Sequence, residues 1–140
     1  MRILLAVDGS AYTQKMLDYL AAHDEMLGPE HQYSAITVQP PLPPRARAAL
    51  SKEVVDGYYA DEAERVMKPV QEFLQRKGVQ AQLLSKVGPI GDTIAATAES
   101  DGYDLIVMGT QGQGALGKLL LGSVSTQVLA RCTVPVLLVR

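Results

Sequence analysis

Four glycines fall within nine residues, at Gly109, Gly112, Gly114 and Gly117, and a fifth, Gly122, stands directly before Ser123. Residues of this kind suit anions. Without a Cβ, backbone N–H groups close on phosphate oxygens and positive φ is permitted. A Gly-Ser pair at a helix start adds unpaired amides, a hydroxyl donor and the positive end of the helix dipole. The run Asp104-Leu105-Ile106-Val107-Met108 before them is apolar on consecutive positions, as in a parallel strand covered on both faces.

Three phosphate-binding patterns can be laid on these glycines. Gly112-x-Gly114-x-x-Gly117 matches the dinucleotide fingerprint, but that pattern needs an acidic residue about 20 positions on to hold a ribose. No Asp or Glu follows Asp104. Gly112-x4-Gly117-Lys118 matches most of a P-loop, yet Leu119 stands where a hydroxyl should meet magnesium. The third pattern is Gly109-x2-Gly112-x9-Gly122-Ser123, which accounts for Gly109 and Gly122-Ser123 as well.

That third spacing resembles the nucleotide-binding signature of the universal stress protein family. The likeness includes the strand LIVMG before it, the Ser123-Val124-Ser125 that opens the last helix, and the closing run Val134-Pro135-Val136-Leu137-Leu138-Val139. It extends to Leu5-Ala6-Val7-Asp8-Gly9-Ser10, so it spans nearly the whole chain, 1–140 as one domain of that family.

The resemblance implies an ATP-binding protein, with ADP or AMP as alternative ligands and magnesium accompanying the phosphates. It sets Ala6, Val7 and Asp8 against the nucleoside, with Asp8 on the ribose or in a metal's water shell, and Val38 where a backbone group pairs with the adenine edge. Gly109, Gly112, Gly122, Ser123 and Val124 match the phosphate and ribose contacts, with Met108 and Ser125 beside them. Gln111 stands where many relatives carry His or Arg, which removes a charge from the phosphate side. Lys118 is a loop cation, read foremost as a solvated surface lysine. The implied function is a stress-response sensor or regulator with at most slow hydrolysis. The alternatives are an ATPase or nucleotidyl-transferring enzyme on the same site, and a nucleotide-free dimeric interaction module. The family pairs its last strand across a two-fold axis, so a homodimer through Val134–Val139 is expected.

Composition agrees with a binding protein of modest charge. The net charge is −2, which offers no electrostatic footprint for nucleic acid or an anionic membrane. Cys132 is the single cysteine, so an internal disulfide is excluded; it is read as a small packing residue. The apolar run Ile3–Val7 is too short for a signal peptide and no run of about 18 apolar residues occurs, which points to the cytoplasm. His23 and His31 read as surface residues away from the glycines. Phosphoryl transfer needs a positioned base and extra cations, and the chain offers few.

The elements that must position these residues alternate. Strands are expected over 2–7, Tyr33–Val38, Val79–Val87, Asp104–Met108 and Val134–Val139. The first helix, capped by Ser10, carries Met16, Leu17, Leu20 and Ala21 on one face and ends near Gly28-Pro29. Pro40-Pro41-Leu42-Pro43-Pro44 reads as a stiff connector, with a motif for a proline-binding partner as the lesser alternative. Arg45 to Lys77 is helical, with a kink or break expected at Lys68-Pro69 and Gly78 closing it. A helix through Glu99 takes Asp92 as its N-cap, and the last runs from Ser123 to Arg131. Five strands with about four helices argue a doubly wound, Rossmann-like α/β sheet, mostly parallel. The family's order 3-2-1-4-5 would bring Asp8 and Gly109 together at the switch point.

Overall fold

In the computed structural model, which describes residues 1–112 and 121–140, the chain runs β1 (Arg2–Ala6), α1 (Ala11–Ala22), a 3₁₀ turn (Asp24–Leu27), β2 (Gln32–Gln39), α2 (Pro44–Ala49), α3 (Lys52–Arg76), β3 (Ala81–Val87), α4 (Ile90–Ser100), β4 (Leu105–Gly109), α5 (Ser123–Arg131) and β5 (Val136–Val139). The strands form one sheet in the order β3-β2-β1-β4-β5, and every pairing is parallel.

Period-two alternation within the strands divides the core into two layers. Ile3, Leu5, Tyr33, Ala35 and Val107 point to the face covered by α1 and α3, where they meet Met16, Leu20, Val70 and Leu74. Leu4, Ala6, Ile36, Ile106 and Met108 point to the opposite face and meet Ile94 and Ala98 of α4 and Val128 of α5. The central strand β1 is thus buried on both sides, as its unbroken apolar run implies.

Three local expectations are corrected. Arg45 to Lys77 breaks at Leu50-Ser51, not at Pro69: the Ser51 hydroxyl accepts from Val54 N at 3.2 Å and caps a new helix, α3, that continues through Pro69. Val66, Met67, Val70, Phe73 and Leu74 are buried on both sides of that proline, and their packing holds the helix together across the missing N–H. Asp92 is not an N-cap. Pro89 takes that position, and Asp92 lies in the first turn of α4, where it meets Arg131 of α5 at 3.2 Å. Pro44, expected in the connector, instead begins α2, the position where a fixed φ and an absent N–H suit a helix. Gly78 does close α3, with φ +72° and its amide on the Gln75 carbonyl at 3.0 Å.

Candidate functional site

At the carboxyl ends of β1, β2 and β4 the sheet order reverses direction, because α1 and α3 cover one face and α4 and α5 the other. A cleft of about 540 Å³ opens there. Ala6, Val7 and Asp8 enter it from β1 and the turn after it, Val38 from β2, Met108 and Gly109 from β4. Gly112 and the start of α5, Gly122, Ser123, Val124 and Ser125, complete the set named from the sequence, so all of those residues line one cavity. Lys118, Gly114 and Gly117 lie outside the described residues.

Asp8 sits in a built turn. Its Oδ1 accepts from the Ser10 amide at 2.9 Å and the Thr13 hydroxyl at 3.0 Å, while Thr13 Oγ1 accepts from the Asp8 amide at 3.0 Å. The Ser10 hydroxyl in turn accepts from Tyr12 N and caps α1. Both helix capping and presentation to the cleft are therefore met, by separate residues.

The glycines work by close approach. Neither Gly109 nor Gly112 has positive φ, so of the two properties glycine offers only the missing Cβ is used. A Cβ on Gly109 would lie 2.6 Å from Tyr12 Cβ and 3.2 Å from the Gln111 carbonyl, and a Cβ on Gly112 would collide with Asp8 Oδ2. Gly122 passes 3.2 Å, by the same measure, from Gln111 Cα. Bare backbone is what lets β4, the Asp8 turn and α5 meet.

The entry to α5 is held from below. Gly122 N donates to the Thr110 carbonyl at 2.7 Å, and the buried Ser125 hydroxyl donates to the same carbonyl at 2.6 Å. Thr110 N donates to Val139 O at 3.0 Å, which ties this junction to β5. Ser125 therefore spends its proton inside the protein, while the first amides of α5 have no intrahelical acceptor and face the cleft end.

The profile of the universal stress protein family matches residues 1–140. The chain belongs to the universal stress protein family. The universal stress protein named "Universal stress protein in QAH/OAS sulfhydrylase 3'region" of Thermus aquaticus is 33% identical over 139 residues, which cover 99% of this chain and 97% of that one. Among solved structures, MJ0577 of Methanocaldococcus jannaschii superposes with a TM-score of 0.83 at 24% identity, covering 99% of this chain and 94% of its own. A universal stress protein in complex with cAMP (TM-score 0.66, 22% identity, 100% and 97% covered) and one from Arabidopsis thaliana with AMP bound (TM-score 0.70, 14% identity, 99% and 90% covered) share the fold.

This universal stress protein carries cleft residues that sequence reading missed. Ile90 and Ile94 of α4 supply an apolar wall, and Thr13, Thr37 and Gln39 polar groups. Tyr58, Glu62, Arg65 and Val66 come from α3. Their spacing at i, i+4, i+7 and i+8 was the available signal, since it marks one helix face. Glu62 and Arg65 pair at 3.1 Å, and that hydrogen bond, followed by charge attraction, raises the guanidinium's proton affinity above its ordinary value. His23 and His31 are half-buried and lie outside the cleft lining; His23 Nδ1 meets the Tyr19 carbonyl at 2.8 Å and His31 meets Glu30 at 3.3 Å. Cys132 packs partly buried against the α4–α5 layer, in line with its reading as a packing residue. Among the described residues no group of three His, Cys, Asp or Glu side chains could hold a metal ion, and no helix is long and apolar enough to cross a membrane.

Proposed function

We propose that the cleft binds an adenine nucleotide and that occupancy, rather than turnover, is what the protein communicates. The observation that carries this is the convergence of the Asp8 turn, the Gly109–Gly112 backbone and the start of α5 on one cavity. Its two halves suit the two halves of a nucleotide. Val38, Ile90, Ile94 and Met108 offer an apolar slot for a flat base. Gly112 and the amides of Ser123 and Val124 offer donors for phosphate. The cAMP and AMP complexes of relatives with this fold support the ligand class.

Magnesium fits as part of the ligand. Asp8 is the carboxylate beside the glycines, and its reach to a metal is through water, with the phosphates as inner ligands. Efficient hydrolysis would need a base on an attacking water, and Asp8 and Glu62 are already engaged by Ser10, Thr13 and Arg65. The protein acts as a cytoplasmic regulator, and pairs with a second copy along β5, which among the described residues is an edge of the sheet.

Denaturing freshly purified protein and chromatographing what is released tests the site, with Gly122→Val as control. Adenine nucleotide from the parent alone is the expected result. An empty parent that also gives no heat on titration with ATP, ADP or AMP plus magnesium overturns it. Single-turnover hydrolysis no faster than in the Gly122→Val protein is expected, and sedimentation at micromolar concentration should show a dimer.

A further inference from the structure

We propose that Arg65 reads the length of the bound nucleotide's phosphate chain and that Glu62 competes with the phosphates for it; this rests on the nucleotide reading of the cleft. The residues that the glycine signature supplies are amides and hydroxyls, with one carboxylate, Asp8. The described lining holds three charged side chains, Asp8, Glu62 and Arg65. Two are negative. Arg65 is the cation among these described side chains.

Arg65 is placed to reach the phosphates. Its neighbour Val66 is buried and approaches the glycine of the Asp8-Gly9 turn, 3.4 Å from where a Cβ would stand, so the helix backbone is anchored at this point. Arg65 Nη1 lies 3.5 Å from the same position, which sets the guanidinium over the turn beside Asp8. The α3 wall faces the α5 start across the cleft, since the two helices cover opposite faces of the sheet. A phosphate chain leaving the α5 amides therefore has the guanidinium on its other side.

The pair with Glu62 is loose enough to exchange. Nη2 meets Oε2 at 3.1 Å and Nε meets Oε1 at 3.4 Å, with the Arg65 side chain 52% exposed. An exposed pair of this kind contributes little. A phosphate further along the chain than the one held at the α5 amides accepts the same fork with greater strength. Glu62 thus holds Arg65 over the unliganded cleft and yields it when a β- or γ-phosphate reaches the guanidinium, so the device discriminates by the length of the phosphate chain.

Dissociation constants for AMP, ADP and ATP with magnesium, measured by calorimetry on the parent, Arg65→Gln, Arg65→Lys and Glu62→Gln, test this. Arg65→Gln should weaken ATP about tenfold or more while changing AMP less than about threefold, the loss expected of a charge-assisted hydrogen bond. Arg65→Lys should restore part of the difference, and Glu62→Gln should tighten ATP more than AMP. Equal weakening of all three ligands by Arg65→Gln, or none, with the parent still binding, overturns the role of Arg65 and leaves the nucleotide reading standing. A parent that binds none of the three overturns both.

Discussion

The Ser125 hydroxyl donates to the Thr110 carbonyl over 2.6 Å, and both residues are almost wholly buried. One bond thus joins the end of β4 to the first turn of α5, the two elements that carry the glycines. Ser125→Ala leaves the carbonyl with its Gly122 donor, so the loss should be near that of one hydrogen bond, about 1 kcal/mol in chemical denaturation. Nucleotide affinity should fall with it, because the α5 amides lose their fixed height. A variant as stable as the parent that binds as tightly would show the bond to be incidental.

Gly109 and Gly112 differ in what an added methyl would strike. At Gly109 it meets Tyr12 and two backbone carbonyls, all fixed, so Gly109→Ala should cost about 1–3 kcal/mol. At Gly112 it strikes the Asp8 carboxylate, which can swing away only by giving up Ser10 and Thr13. Gly112→Ala should therefore lower the melting temperature less than Gly109→Ala, while both abolish most nucleotide binding in titration.

Tyr33 is buried, its hydroxyl has no hydrogen-bond partner among the described residues, and burial first, Glu30 second, raise its pKa to about 12. The folded state holds the proton more tightly than the unfolded one. Stability from this group is whole below about pH 10, the ordinary tyrosine value, and is lost as pH rises toward 12. Tyr33→Phe should flatten that alkaline fall in urea melts at several pH values, and at neutral pH should leave stability equal or higher, since an unpaired buried hydroxyl is removed. An unchanged alkaline slope would assign the loss elsewhere.

Tyr59 fastens the proline connector: its hydroxyl accepts from Leu42 N at 2.8 Å and its carbonyl accepts from Gln39 Nε2 at 2.8 Å. Tyr59→Phe frees Leu42 and should raise the rate of limited proteolysis within Pro40–Ser51 several-fold, with about 1 kcal/mol or less of global stability lost. Proteolysis at the parent's rate would mean that the prolines alone hold the connector.

The strands were legible as apolar runs between turn residues, their order through the resemblance to the family, and the convergence on the cleft through the glycine spacing that carries that resemblance. Arg65 was not. Arginine on an amphipathic helix is ordinary, and only the fold brings residue 65 to residue 9. Pro69 misled because the tertiary burial of Val66 and Val70 outweighs one lost backbone bond. The break before α3 carried its own signal in Ser51, an N-cap type followed by Lys52-Glu53, which the helical pattern around it obscured. Asp92 was read as the cap, and its pairing with Arg131 across the helix pair marks it instead as a first-turn anion.

The register that sets Ile3 against Leu105 has a consequence for synthesis. The central strand β1 is made before both of its neighbours and can pair with β2 early, but its other neighbour, β4, follows only about 100 residues later. The cleft lies between those two strands. A nascent chain that has not reached β4 can thus bury a half-sheet and still lack the recess, which takes shape only once β4 and the start of α5 have been made.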